Sequence, residues 1–283
     1  MSVPTKHSSE EVGLKVNNSN KPGTAVVTGA SSGIGKLYAE RLAARGYDLI
    51  LIARREDRLQ AIANDLEKRF AIKPDVFVAD LSQPAGLATA IARINTDSSL
   101  SFLVNNAGFS ALRPLSDTPL ELINSMIALN ITALTALSKT ALMRFRERNA
   151  GVIVNVGSGV GFAPYPDVPV YGPTKAYVLQ FTQILQHAVE GSGVRVQLVL
   201  PGVVISEGWD VAGGAALDPL PESMVMSTEN CVDAALSGLD QGEFMTLPSL
   251  HDESLLLDYQ AAANKLLQGV FNREPAARYN IPT

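Results

Sequence analysis

The chain has 283 residues, of which 46% are hydrophobic and 18% charged, and carries a net charge of −5. That suffices for one sizeable core at the upper end of a single α/β domain, and an acidic balance without a long basic run argues against a nucleic-acid surface. One cysteine, Cys231, and three scattered histidines exclude an internal disulfide and a zinc-ligand spacing, and fit a reducing, cytoplasmic setting.

Residues 1–22 are polar, with no apolar core of a secretory signal, and read as a flexible leader. No uninterrupted apolar run approaches the length of a membrane span, so no membrane partner is expected. Residues 24–28 form a short apolar run, read as a buried strand. Gly29-Ala30-Ser31-Ser32-Gly33-Ile34-Gly35 follows at once, then an amphipathic helix over 36–45 stopped by Gly46, then a second apolar run over 49–53. Strand, glycine turn, helix, strand is the unit that binds a dinucleotide. Without Cβ atoms the turn can approach a pyrophosphate, and the helix N-terminus offers N–H groups and partial positive charge. Gly29, Ser31, Ser32, Gly33, Ile34 and Gly35 are therefore the candidate phosphate cradle.

Thr28 to Gly35 resembles the Thr-Gly-x-x-x-Gly-x-Gly signature of the short-chain dehydrogenase/reductase family. Later motifs match in order, so the resemblance covers roughly residues 22–206 and, more loosely, the remainder. It implies a single-domain Rossmann-type fold: a doubly wound parallel sheet with helices on both faces. It also implies a homodimer or homotetramer.

An acidic residue at the end of the second strand would bind an adenosine ribose 2′-OH; here Ala53 is followed by Arg54 and Arg55. Arginine suits a 2′-phosphate, so NADP is expected over NAD, with Arg54 first, Arg55 second and the Ser32 hydroxyl adding to them. The alternative is a solvated basic helix start. Residues 59–69 read as a helix and 76–79 as the third strand. Asp80-Leu81 follows, a pair that borders adenine in the family; a helix N-cap at Asp80 or Ser82 is the plainer reading. A fourth strand over 102–104 runs into Asn105-Asn106-Ala107-Gly108, which resembles the family's Asn-Asn-Ala-Gly motif and makes Asn106, Ala107 and Gly108 cofactor contacts.

Residues 120–142 read as one long apolar helix containing Asn130, where the family places a catalytic Asn that positions a water near the active Lys. Residues 151–157 form a fifth strand ending in Ser158. Thirteen positions on lies Tyr171-Gly172-Pro173-Thr174-Lys175. Tyr and Lys four apart share one helix face. A nearby ammonium would lower the phenol pKa from ~10 and make Tyr171 a general acid/base. Ser158 can donate to a carbonyl oxygen as charge develops. A serine hydrolase is the poorer reading, because His187 is the one central histidine and lies well along a helix. Pro173 stands where small residues are usual, in a first turn that tolerates it. The proline-stiffened segment 163–169 offers Tyr165 to a substrate pocket.

A sixth strand over 194–200 leads to Pro201-Gly202-Val203, then Val204, Ile205 and Ser206. The resemblance sets Pro201, Gly202, Val203 and Ser206 beside the nicotinamide, with Ser where Thr is commoner. Residues 207–227 read as a substrate loop in which Trp209, Val211, Leu217, Leu220 and Met224 could close over an apolar substrate; a surface insertion is the alternative. A helix over 229–239, an edge strand over 244–248 and a last helix over 255–271, apolar enough to pack on a neighbour, complete a catalytic domain of 23–271; 272–283 form a tail. The expected activity is NADP(H)-dependent hydride transfer between nicotinamide and a carbonyl/alcohol carbon of a small, partly apolar molecule. Asn130, Ser158, Tyr171 and Lys175 are its catalytic set; Tyr171 and Lys175 also touch cofactor. A catalytically silent NADP-binding sensor or scaffold is the alternative.

Overall fold

The computed structural model describes residues 21–204 and 220–281. The core strands are runs of Val, Ile, Leu and Ala buried on both faces, as a covered parallel sheet requires. They are β1 (Thr24–Thr28), β2 (Asp48–Ala53), β3 (Asp75–Val78), β4 (Leu100–Asn105), β5 (Gly151–Val156) and β6 (Val194–Val199). With β9 (Met245–Thr246) they form a seven-stranded parallel sheet in the order β3-β2-β1-β4-β5-β6-β9. The expected doubly wound architecture is thus present, with its switch point between β1 and β4.

Alternation along the strands divides the core. Ala25 and Val27 of β1, Leu49 and Leu51 of β2 and Val104 of β4 meet α1 (Gly33–Ala44), α2 (Glu56–Phe70) and α7 (Thr228–Gln241). Val26, Ile50 and Ile153 point the other way, toward α3 (Pro84–Thr96), α5 (Leu134–Arg148) and α6 (Tyr171–Ala188). A buried polar chain ties β4, β5, α5 and α6 together. Asn105 Nδ2 donates to Ser138 Oγ and to Asn155 Oδ1, each at 2.9 Å, and Asn155 Nδ2 donates to Thr182 Oγ1 at 3.0 Å.

Several expectations need correction. The helix expected over 120–142 is α4 (Leu120–Ile127), a π-helical segment Ala128–Ala133 and α5. By length and mean hydropathy the stretch Leu120–Arg148 could cross a membrane, although its polar residues leave no uninterrupted apolar run of that length. Here it is a core element: Leu137, Ala141 and Phe145 are buried against the sheet, and Asn130 and Ser138 are buried with hydrogen-bond partners. Helix α3 was not anticipated. The substrate loop expected over 207–227 ends in regular structure: a 3-10 turn Glu222–Met224 leads to β8 (Val225–Met226), which pairs in parallel with β7 (Val203–Val204). The edge strand expected over 244–248 shrinks to the two residues of β9. The last helix, α8, spans Ser254–Gly269. The end of the expected leader is tied down, since Lys21 Nζ lies 2.8 Å from Asp48 Oδ1.

Candidate active site

At the carboxyl ends of the strands lies a cavity of about 1110 Å³. Its wall follows the sheet order. Asp80 and Leu81 come from the end of β3, Arg54 and Arg55 from β2, and Gly29, Ser31, Ser32, Gly33 and Ile34 from β1. Asn106, Ala107 and Gly108 follow β4, Ser158 follows β5, and Pro201, Gly202 and Val203 follow β6. Tyr171 and Lys175 enter from the first turn of α6. The fold thus brings these predicted residues to one wall. Two do not face it: Gly35 and Asn130 sit behind it as supports. Ser206, with Trp209, Val211 and Leu217, lies outside the described residues.

The glycine turn is shaped for close approach. Gly29 has φ +66°, and a Cβ on Gly35 would fall 2.3 Å from the Gly29 carbonyl oxygen. Thr28 holds the facing loop: its Oγ1 accepts from the N–H groups of Asn106 and Ala107, both at 3.0 Å, and donates to Val104 O at 3.2 Å. Helix α1 starts with no side-chain cap and no acidic residue in its first turn, so the positive end of its dipole is unanswered. Ser32, at the N-cap position, instead accepts from Arg55 Nη2 at 2.8 Å, and Ser31 Oγ accepts from the same nitrogen at 3.0 Å. Arg55 is therefore held against the glycine turn, while Arg54 is exposed; both line the cavity. Cradle, helix terminus and guanidinium together suit a dinucleotide carrying an additional phosphate.

Neither Asp80 nor Ser82 is a helix N-cap, the plainer reading weighed for them; the N-cap of α3 is Gln83. Asp80 Oδ1 accepts from Ser82 N at 2.9 Å and Ser82 Oγ at 2.7 Å, ahead of α3. Leu81 is buried and lines the cavity beside it.

The catalytic-type residues share one neighbourhood. Lys175, 5% exposed, donates from Nζ to Val156 O at 2.8 Å and sits 5.5 Å from the Tyr171 ring centroid. The expected lowering of the Tyr171 pKa by Lys175 is not seen. Burial pushes the phenol up to about 12, and the hydrogen bond with Ser158 offsets this only in part. Burial also pushes the Lys175 ammonium down to about 8. Desolvation outweighs attraction at both groups.

Asn130 occupies the π-helical segment, which turns its side chain toward the loop after β4. Its Oδ1 accepts from Phe109 N at 3.1 Å, and its Nδ2 donates to Phe109 O and to Thr174 Oγ1, both at 3.0 Å. Thr174 Oγ1 donates in turn to Tyr171 O at 2.8 Å. Both amide hydrogens of Asn130 are committed, so it is a clamp between the Phe109 loop and the Tyr171 helix, not a side-chain donor to a water.

Sequence reasoning missed the other wall. Phe109, Leu112, Leu129 and Val168 supply apolar surface, and Ser110, Arg113 and Asp167 add polar groups. Tyr165, Leu220 and Met224 do line the cavity, as expected. Thr28 and Thr174 stand inside the recognised motifs, but the hydrogen bonds by which they hold the neighbouring loops were not anticipated.

The short chain dehydrogenase family model matches residues 23–212. A short-chain dehydrogenase from Sphingobium yanoikuyae, solved in complex with NADPH, superposes with a TM-score of 0.86 at 40% identity, covering 90% of this chain and 98% of that one. The bulky-bulky ketone specific alcohol dehydrogenase from Comamonas testosteroni gives a TM-score of 0.84 at 37% identity over 92% of this chain and 99% of its own. Among curated sequences, very-long-chain 3-oxoacyl-CoA reductase-A from Danio rerio is 35% identical over 74% of this chain and 66% of its own length. The chain thus spans slightly less than two thirds of that relative.

Proposed function

Because the chain belongs to the short-chain dehydrogenase/reductase family, we propose that it is an NADP(H)-dependent oxidoreductase acting on the carbonyl or alcohol carbon of a bulky, partly apolar substrate. The observation that carries this reading is the convergence of Ser158, Tyr171 and Lys175 on a cavity whose far wall holds Arg55 against the glycine turn. The NADPH bound by the Sphingobium relative and the bulky ketone preference named for the Comamonas enzyme support it. So does the apolar wall of Phe109, Leu112, Leu129 and Val168.

The cofactor, when bound, supplies the hydride. The glycine turn and the α1 terminus would hold its phosphates, and Arg54 and Arg55 with Ser31 and Ser32 would hold the 2′-phosphate. Ser158 Oγ donates to the substrate carbonyl oxygen as negative charge grows there. Tyr171 Oη delivers its proton to that oxygen; at a pKa of about 12 it stays protonated through the neutral range. Lys175 Nζ, when charged, steadies the resulting phenolate. Asn130 and Thr174 fix the first turn of α6 relative to the substrate wall. The same reading makes the protein a cytoplasmic homo-oligomer, supported by the lone buried thiol of Cys231 and by the apolar last helix.

Nicotinamide fluorescence titration with NADPH and NADH tests the cofactor assignment: tighter NADPH binding is expected, and equal affinities would defeat it. Tyr171→Phe should cut ketone reduction by roughly 10²-fold or more while leaving NADPH affinity within about twofold. Turnover that survives the substitution would remove Tyr171 from the mechanism.

A further inference from the structure

Helix α8 keeps no residue buried. Its start rests on the body: Tyr259 packs edge-on against Phe162 with centroids 4.9 Å apart, and Gln260 Nε2 lies 3.4 Å from Met245 Sδ. From Ala261 to Ile281 every residue is exposed. Yet this arm carries Leu266, Leu267, Val270, Phe271, Tyr279 and Ile281, each 56–78% exposed. Leu256, Tyr259, Ala263, Leu266 and Val270 follow one another at spacings of three and four residues. The seam that seats the start of α8 therefore runs on, uncovered by any described residue, along the rest of the helix.

A 16-residue helix with no buried face is marginal in water, so the arm needs a surface to lie on. Its charge indicates which. Residues 261–283 hold Lys265, Arg273 and Arg278 against Glu274 alone, a balance of +2; since the chain carries −5, residues 1–260 carry −7. An apolar, basic arm is complementary in net charge to the rest of another copy of this chain, of which the described residues within 21–260 carry −4.

We propose that residues 261–281 are an exchanged arm that docks on the body of a second copy of this chain, the second copy returning its own arm about a two-fold axis. A stable protein–protein interface buries ~1,200–2,000 Å² in all, so both arms must contribute to it. This inference rests on the homo-oligomer part of the proposed function and names the surface that builds it; it does not depend on the reaction.

Sedimentation velocity over nanomolar to micromolar protein, at low and high salt, tests it on the full chain. Wild type is expected at two or four times the chain mass. Leu266→Glu with Phe271→Glu, both at exposed positions, should raise the dissociation constant at least ~100-fold and leave NADPH affinity unchanged. Lys265→Glu with Arg278→Glu should also weaken assembly, and rising salt should weaken the wild type. A wild type that stays monomeric overturns both the oligomer and the arm exchange, and would turn attention to residues 1–20 of the same chain or a lipid surface as the cover. An oligomer unmoved by either double variant keeps the homo-oligomer and overturns the arm.

Discussion

Burial opposes charge at both ends of the Tyr171–Lys175 pair, and this sets the pH behaviour of the site. In the proposed mechanism, carbonyl reduction needs the Tyr171 proton, which stays in place up to about pH 12, and the Lys175 charge, which is held only below about pH 8. The kcat/KM for reduction is therefore expected to be flat at neutral pH and to fall as pH rises through about 8, read from a rate profile at saturating NADPH. Stability carries the opposite slope. The folded-state pKa of Lys175 lies below its unfolded value of ~10.4, so between the two the unfolded chain holds more protons and stability rises with pH. Below pH 8 the folded state bears the full cost of the buried ammonium. Lys175→Met should then raise Tm at pH 7 by about 2–4 °C in calorimetry while abolishing turnover. An unchanged or lowered Tm would show that the Val156 carbonyl compensates the charge fully. At this scale the sequence was informative about motif residues and silent about their environment. Spacing singled out Ser158, Tyr171 and Lys175, but the direction of each pKa shift depends on burial. That burial comes from strands remote in sequence, such as the Val156 end of β5.

At the level of elements, the β1–turn–α1 unit is the most constrained part of the site. Gly35→Ala would place its Cβ 2.3 Å from the Gly29 carbonyl oxygen and 2.6 Å from Asn106 Nδ2, so the turn must open. NADPH affinity is expected to fall at least ~10-fold by fluorescence titration. Gly269→Ala, whose Cβ would meet nothing within 4 Å, is the control and should leave affinity unchanged. The strands were legible as short apolar runs, α1 and α2 as the helical stretches between them, and the start of α6 from the four-residue spacing of Tyr171 and Lys175. The π-helical insertion at Ala128–Ala133 was not, since it shifts hydrogen bonding from four to five residues without altering composition. Its consequence is geometric: it lets Asn130 reach Phe109 and Thr174 at once. The wall from Phe109 to Arg113 was equally hidden, having neither helical nor strand period.

Across the whole molecule, the cavity lies over the switch point of the sheet, so cofactor binding should brace both halves of the fold. NADPH at 100 times its Kd should add about 2.7 kcal/mol of stability, with NADH at the same concentration adding less; equal shifts in thermal melts would contradict the role of Arg55. The doubly wound sheet was legible from motif order; the reach of α8 beyond the body was not, because an apolar helix gives no sign of which surface receives it. The strand order has one further consequence. Strand β1 lies inside the sheet, paired on one side with β2 and on the other with β4, which is synthesised only at Leu100–Asn105. At ~5–20 residues per second, the ribosome leaves one edge of β1 open for about 4–15 s after Thr28 is made. During that interval a run of Ala25, Val26 and Val27, later among the most buried residues of the protein, is an unprotected template for another nascent chain. A strand covered on both edges in the finished protein is thus the hazardous edge of the growing one.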